Sequence, residues 1–373
     1  MKIVVAMDSF KGTLNAADAC DLISGSISCI LSDATVIQKP MADGGEGTAR
    51  AMIQAGAGQW IARTVMGPLP EMKVQAGFGW FTDRTAIVEM AAASGLELLT
   101  ADQLDPMRAT TFGTGELIAA ANQYGAEKVL LAVGGSATVD GGVGAATALG
   151  WRFLDHTRQP VMLGGGSLEK IAYIESLGKG EVPPVEILCD VNNPLCGDRG
   201  AAKVYGPQKG ATPEMVERLE KGLSHLSDVV AAQLGTDIRN VPGAGAAGGL
   251  AAGALAFMHG TIVSGIKAVM ERSNLEAELK RADWVVTGEG SFDRQSLHGK
   301  VVSGVLELAK RSGTRVAVLA GQVKISPEEC RNLGIDVALA SKPEDLPLDD
   351  ALRDSRKLLE AAAQRLALQY LAR

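Results

Sequence analysis

Ile3-Val4-Val5-Ala6, running straight into Met7-Asp8-Ser9-Phe10-Lys11-Gly12, is the stretch that decides the fold. A short apolar run bounded by turn residues predicts a β-strand covered on both faces, as in a parallel sheet. Asn15 followed by Asp18 can cap a helix, and Ala19, Leu22, Ile23, Ser26, Ile27 and Ile30 keep helical spacing behind it. A second strand over about 35–39 ends in Pro40-Met41-Ala42-Asp43-Gly44-Gly45-Glu46-Gly47, and another helix starts near Thr48. The pattern is strand, loop, helix, twice over.

The same grammar returns near the C-terminus. Trp284–Thr287 reads as a strand ending in Gly288-Glu289-Gly290-Ser291-Phe292-Asp293, with Val301, Val305, Leu306 and Leu308 marking a helix. Arg315–Ala320 and Val337–Ala340 read as further strands, and Leu352, Leu359, Ala362, Leu366 and Tyr370 as one face of a closing helix. The middle differs. Val74–Glu89 reads as paired strands around Thr82-Asp83-Arg84, Lys128–Val133 as a strand into a glycine loop, and Val185–Cys189 as a strand into Asp190. Met66–Pro70, with Gly67, Pro68 and Pro70, reads as a crossing between domains. The expected fold is α/β: a doubly wound parallel sheet from 1–64 and 283–373, and an inserted mixed α/β domain over 65–282. A ligand is expected in a cleft between the two, at strand ends.

Composition narrows the function. The chain has 373 residues, 46% hydrophobic and 21% charged, which suits globular domains and not disorder. Aromatic residues make up only 4%, against 45 glycines, so tight turns outweigh base-stacking platforms. A net charge of −7 argues against nucleic acid and anionic membrane as partners. Five cysteines without a CxxC pair read as reduced thiols, and no zinc site is expected. Met1–Val5 is too short for a signal-peptide core, and Gly243–Met258, the most membrane-like stretch, is too short to span and reads as a buried helix. A cytoplasmic protein is expected.

Chemistry-bearing residues collect at the strand ends. In Asp8-Ser9-Phe10-Lys11-Gly12, Lys11 can meet a phosphate or carboxylate and Ser9 can donate to it; the bland alternative is a turn with Lys11 in solvent. Asp43 and Glu46 flank two glycines and can bind Mg²⁺ or substrate hydroxyls, although Asp-x-x-Glu before a helix is also a capping box. Gly134-Gly135-Ser136-Ala137-Thr138-Val139-Asp140-Gly141-Gly142 can form an anion nest, with hydroxyls from Ser136 and Thr138 and with Asp140 facing a metal or water.

Asp190 and Asn192 open a loop in which a carboxylate can take the proton of an attacking hydroxyl; an Asx turn is the plainer reading. Lys203 and Lys209 offer cations downstream, as any solvated lysine does. Glu289, Asp293, Ser296, His298 and Lys300 crowd a single loop and helix start, where a metal and a phosphate can be held together. Gly243-Ala244-Gly245-Ala246-Ala247-Gly248 matches GxGxxG formally, without a strand leading in or an acid some twenty residues on. That argues against a dinucleotide site and for a helix start that packs closely or, through Gly245, faces a phosphate. No GxxxxGK[ST] loop occurs, so this is not a P-loop kinase.

Taken together these blocks resemble the bacterial glycerate kinase family of the two-domain type. The resemblance runs in order along the chain: DSFKG at 8–12, ADGGEGT at 42–48, GTGEL at 113–117, GGSAT with DGG at 134–142, CDVNNPL with CGDRGA at 189–201, YGPQKGA at 205–211, GAGAAGG at 243–249, and TGEGSFD with QSLHGK at 287–300. One departure is Met7, where the family often has proline. The resemblance implies ATP-dependent phosphorylation of D-glycerate with Mg²⁺, usually to 2-phosphoglycerate and in some relatives to 3-phosphoglycerate. It also implies a flavodoxin-like domain paired with a second α/β domain.

On that basis Asp190 is expected to be the general base, with Glu289 and Asp293 as alternatives or metal ligands and Asp140 a further ligand. Lys11, with Lys209 or Lys300, is expected to offset phosphate or carboxylate charge. Rival readings are a kinase of another short hydroxy acid and a non-catalytic sensor of a small anion. An NAD-dependent oxidoreductase has only the weak GxGxxG behind it.

Overall fold

The structure, a computed structural model, describes all residues except Lys11, Glu46, Ala57, residues 179–181, His298, Gly299 and Arg373, and the side chain of Gln295. Its chain divides into two compact units: Met1–Asp43, Arg50–Gly58 and Ile266–Arg373 form one, Gly44–Ala49 and Gln59–Gly265 the other.

In the first unit, strands Lys2–Met7, Thr35–Gln38, Trp284–Gly288, Arg315–Ala320 and Val337–Ala340 make one five-stranded sheet. All pairings are parallel. Numbered along the chain, the strands lie in the order 2-1-3-4-5, the flavodoxin-like doubly wound order. Alternate residues of the first strand feed opposite faces. Ile3, Val5 and Met7 join Ile23 and Ile27 of helix Ala16–Ile30 and Leu359 and Leu366 of helix Ser355–Leu366 in one core. Val4 and Ala6, on the other face, are equally inaccessible. Each such aliphatic side chain contributes about 1.5–3 kcal/mol on burial. Helix Ala16–Ile30 begins at Asn15, whose side-chain oxygen accepts the Asp18 N–H at 2.9 Å.

In the second unit a six-stranded sheet runs Thr261–Val263, Val185–Leu188, Lys128–Ala132, Thr85–Glu89, Lys73–Trp80, Gln59–Met66. The first four strands are parallel, and the last two are added antiparallel. The paired strands around Thr82-Asp83-Arg84 are present, with Arg84 left-handed at φ 59° in the turn. A core built from Val88, Leu117, Leu131, Ile187, Leu223 and Leu250 underlies the sheet. Helix Ala246–Phe257 is buried along most of its length. Among the described residues no helix is long and apolar enough to cross a membrane, and all five cysteines are free thiols.

The crossings differ from the expectation. The chain passes into the second unit for Gly44–Ala49, leaves the first unit again after Gly58 and re-enters it at Ile266, so two helices, Gly265–Arg272 and Leu275–Leu279, go almost wholly with the flavodoxin-like sheet. Met66–Pro70 is not a crossing but the turn between two antiparallel strands, closed by the Gly67 N–H on the Met72 carbonyl at 2.9 Å.

Candidate active site

The order 2-1-3-4-5 reverses between strands Lys2–Met7 and Trp284–Gly288, the topological switch point beyond whose carboxyl ends open α/β sheets bind their ligands. Asp8 and Glu289 stand at those two ends. The Asp8 N–H donates to the Gly288 carbonyl at 2.9 Å, and the Ser9 N–H donates to Asp8 Oδ1 at 2.6 Å. Gly288 is required because a Cβ there would collide with the Leu319 carbonyl oxygen on the next strand.

Acids from three strand ends feel one another here. Burial, first, and then the charge of Asp43 push the Asp8 carboxyl up to about 7, with Glu289 adding to the rise; the Ser9 N–H and the Lys300 ammonium oppose it. Burial also raises Glu289, against the pull of Ser296 and Lys300 and with the help of Asp293 and Asp43. Glu289 is only 8% exposed. Its Oε2 lies 3.7 Å from Lys300 Nζ, while its Oε1 is buried without a hydrogen-bond partner among the described residues. A buried carboxylate oxygen left open beside two further acids is a place where a cation or a donor belongs. Ser296 is different: it is fully buried, accepts the Asp293 N–H at 3.1 Å and donates to the Ser291 carbonyl at 3.2 Å. It closes its own loop and bears on the Glu289 carboxylate, whose pKa it pulls down against burial. Lys11, Glu46 and His298 lie outside the described residues.

The second unit carries the glycine loop after strand Lys128–Ala132. Gly134 is half-buried and Gly135 exposed, so the backbone at the tip is accessible. The rest is tied down: the Gly134 N–H donates to Gly44 at 3.1 Å, and the Ala137 N–H to Ser94 at 2.9 Å. Thr138 is fully buried, with a hydroxyl lacking a partner among the described residues.

Asp140 is fully buried, which corrects its reading as a metal ligand. Its carboxylate accepts the N–H groups of Thr111 at 2.8 Å, Gly142 at 3.1 Å and Gly144 at 3.2 Å. The hydroxyls of Thr111 at 2.9 Å and Thr110 at 3.3 Å complete the set. Burial raises its pKa against those donors. With every side filled by the chain itself, Asp140 is an internal brace. Lys209 is corrected in the same way: it is 2% exposed, and its ammonium donates to Ser136 Oγ at 2.7 Å and the Thr138 carbonyl at 2.8 Å. It cannot reach a phosphate.

Gly245 gives its N–H to the Asn193 carbonyl at 2.9 Å, and a Cβ on it would collide with the Pro194 carbonyl oxygen. The glycines of 243–249 therefore serve backbone-to-backbone packing and not phosphate. Asp190, half-buried just beyond strand Val185–Leu188, accepts the Ser264 hydroxyl at 2.8 Å, and Asn192 is exposed beside it. Ser264 follows strand Thr261–Val263, the adjacent parallel strand, so sheet register brings the two together.

Sequence reasoning missed Ser264, Thr110, Thr111 and Glu89. Glu89 ends its strand and is 7% exposed; its carboxylate accepts the Gly47 N–H at 2.6 Å and the Ala49 N–H at 3.2 Å at the start of helix Thr48–Gly56. The signal was an acid closing the apolar run Ala86-Ile87-Val88, the same cue that marked Asp8 and Asp190.

The comparisons agree over the full length. The model of the glycerate kinase family matches residues 3–371. Glycerate kinase of Bacillus subtilis (strain 168) is 41% identical over 371 residues, covering 98% of this chain and 97% of that protein. Glycerate 2-kinase of Escherichia coli (strain K12) is likewise 41% identical, with the same coverage of 98% and 97%. A crystal structure from Salmonella typhimurium LT2, assigned as a glycerate kinase 2, superposes with a TM-score of 0.86 at 41% identity, covering 100% of this chain and 98% of that one. With the family model matched nearly end to end and the strand-end acids in place, this chain belongs to the glycerate kinase family.

Proposed function

We propose that this kinase transfers the γ-phosphoryl group of ATP to the 2-hydroxyl of D-glycerate, giving 2-phosphoglycerate. The observation that carries the reading is the open, buried Glu289 carboxylate beside Asp8 and Asp43 at the switch point of a glycerate-kinase-family chain.

The oxygen donors there suit Mg²⁺, a hard cation that keeps waters and needs only one or two protein carboxylates beside phosphate oxygens. Among the described residues no three-ligand cage exists, so Asp8 and Glu289 would hold the ion, with Asp43 as neighbouring charge. Bound Mg²⁺ would neutralise phosphate charge as it develops. Asp190 takes the proton of the attacking hydroxyl, its carboxylate oriented by the Ser264 hydroxyl. The exposed backbone N–H of Gly135 receives anionic oxygen, and Lys300, half-buried, offsets charge near Glu289. Asp293 stays with the Glu289 loop as a second carboxylate. Positioning and charge neutralisation supply most of the acceleration, since phosphoryl transfer asks for little covalent chemistry.

The test is phosphorus NMR of the product after incubation with D-glycerate, ATP and Mg²⁺. A 2-phosphoglycerate signal is expected. A 3-phosphoglycerate signal would overturn the assigned hydroxyl, and no phosphoester from folded protein would overturn the substrate.

A further inference from the structure

Lys209 ends the short turn Pro207–Lys209, and the left-handed Gly210 at φ 89° follows it. Its side chain points inward with no access to solvent, yet its charge is not isolated. Nζ donates to Ser136 Oγ at 2.7 Å and to the Thr138 carbonyl at 2.8 Å. A serine hydroxyl has one proton to give and two lone pairs to accept with. Because Lys209 occupies a lone pair of Ser136, the Ser136 proton must point elsewhere, and no acceptor among the described residues takes it. Ser136 is 7% exposed and lies next to Gly135, the exposed tip of the loop.

We propose that Lys209 is a positioning residue that fixes the Ser136 hydroxyl as a charge-backed donor to an anionic oxygen of the ligand. The oxygen is either a phosphoryl oxygen of ATP or the carboxylate of the hydroxy acid, since both present the same acceptor. Below about pH 7, where it keeps its proton, the buried lysine thus delivers its charge to the loop tip through one hydroxyl, where a lysine in solvent would be screened. Asp140 supports this from behind: it braces the far end of the loop, and its charge partly offsets the fall in Lys209 basicity that burial causes. The inference rests on the proposed reading of Gly134–Thr138 as a ligand loop.

The experiment compares Ser136→Ala, Ser136→Thr, Lys209→Met and the double variant S136A/K209M in the full chain. Each is checked for a folded chain with a cooperative melting transition, then assayed below about pH 7, where Lys209 is protonated, for kcat and for KM of ATP and of D-glycerate. Calorimetric Kd values for ATP alone and D-glycerate alone are read alongside. Losing one charge-assisted hydrogen bond should weaken one ligand about tenfold or more. A change on the ATP arm identifies phosphoryl oxygen, and a change on the glycerate arm identifies carboxylate. Lys209→Met should match Ser136→Ala, the double variant should be no worse than the poorer single, and Ser136→Thr should restore binding. A merely structural lysine would lower the melting temperature without this coupling.

Wild-type binding of both ligands by folded Ser136→Ala, or single effects that multiply in the double variant, would overturn the proposal. Should Lys209→Met fail to fold, the contrast between Ser136→Ala and Ser136→Thr still decides it. A wild-type chain that binds ATP or glycerate with this coupling but forms no product would sink the kinase reading and leave the inference standing.

Discussion

Gly248 and Thr138 meet backbone to backbone: a Cβ on Gly248 would collide with the Thr138 carbonyl oxygen, and the Gly248 carbonyl accepts the Gly141 N–H at 3.1 Å. Gly248 also sits at φ 65°, between Ala247 at φ 54° and Gly249 at φ 90°. Neither a carbonyl in a hydrogen-bonded loop nor a left-handed backbone can yield to a methyl group. Gly248→Ala should therefore destabilise the chain by roughly 3 kcal/mol or more and displace the loop that carries Ser136. Ala247→Gly should do the opposite: it relieves left-handed strain of about 1–2 kcal/mol at an entropic cost of about 0.5–1 kcal/mol, for a net gain of up to about 1.5 kcal/mol. Urea denaturation of the two variants checks both signs.

The helix start at Thr48 gives a second test. The Glu89 carboxylate accepts the Gly47 and Ala49 N–H groups, two donors that helix geometry leaves without internal partners. Glu89→Gln keeps one acceptor oxygen but loses the charge, and should cost about 1–2 kcal/mol. Hydrogen exchange should quicken at 44–49 before the rest of the second unit. Unchanged exchange there would mean that the carboxylate is dispensable.

Asp190→Asn keeps the shape of the side chain and removes its basicity. If Asp190 takes the proton of the attacking hydroxyl, kcat should fall by about 10²–10⁴ with the melting temperature unchanged. Turnover near the wild-type value would sink the assignment.

The three inner strands of the flavodoxin-like sheet were legible because they are buried apolar runs, each stopped by an acid or glycine: Ala6 before Asp8, Thr287 before Glu289, Ala320 before Gly321. Burial on both faces leaves no other pattern for such a strand. The domain crossings were not legible, because nothing in composition marks Gly58 or Ile266, whereas the prolines at 68 and 70 mark a hairpin turn convincingly. Lys209 misled for a physical reason. A lone lysine reads as solvated, and only the approach of Ser136 and Thr138 from some seventy residues upstream makes burial tolerable. Asp140 misled likewise, since its saturating donors come from Thr110 and Thr111 on a different segment. Strand-end acids could be found one at a time; which of them stay open depends on long-range partners.

Asp8 should make stability fall as pH rises. Its folded pKa of about 7 lies above the ordinary 3.8, so the protonated form is favoured by folding. The contribution is fully present below about pH 4 and is lost as pH climbs through about 7. Asp8→Asn, without metal or nucleotide, should therefore raise the melting temperature at pH 8 and leave it unchanged near pH 4. The upper limit of the gain is about 4 kcal/mol, at about 1.4 kcal/mol per pKa unit. Activity should be lost in the same variant, because the carboxylate that destabilises the apo fold is the one assigned to the cation. Equal melting temperatures at pH 8 would show that Asp8 is ionised at no cost.

Lys209 should act on the opposite side of neutrality. Burial lowers its pKa from 10.5 to about 7, with the charge of Asp140 opposing the fall. Between about pH 7 and 10.5 the unfolded chain binds a proton that the folded chain has released, so stability should rise with pH across that window. Below about 7 both states are protonated and the desolvation cost is borne in full. With Asp8 falling below neutrality and Lys209 rising above it, these two groups together give the wild-type curve a minimum near pH 7. Lys209→Met should remove the rising limb alone. It also strips partners from Ser136 and the Thr138 carbonyl, so its stability at any single pH is lowered, and the slope is the quantity to read. A rising limb that survives in Lys209→Met would assign that proton to another group and leave Lys209 charged throughout.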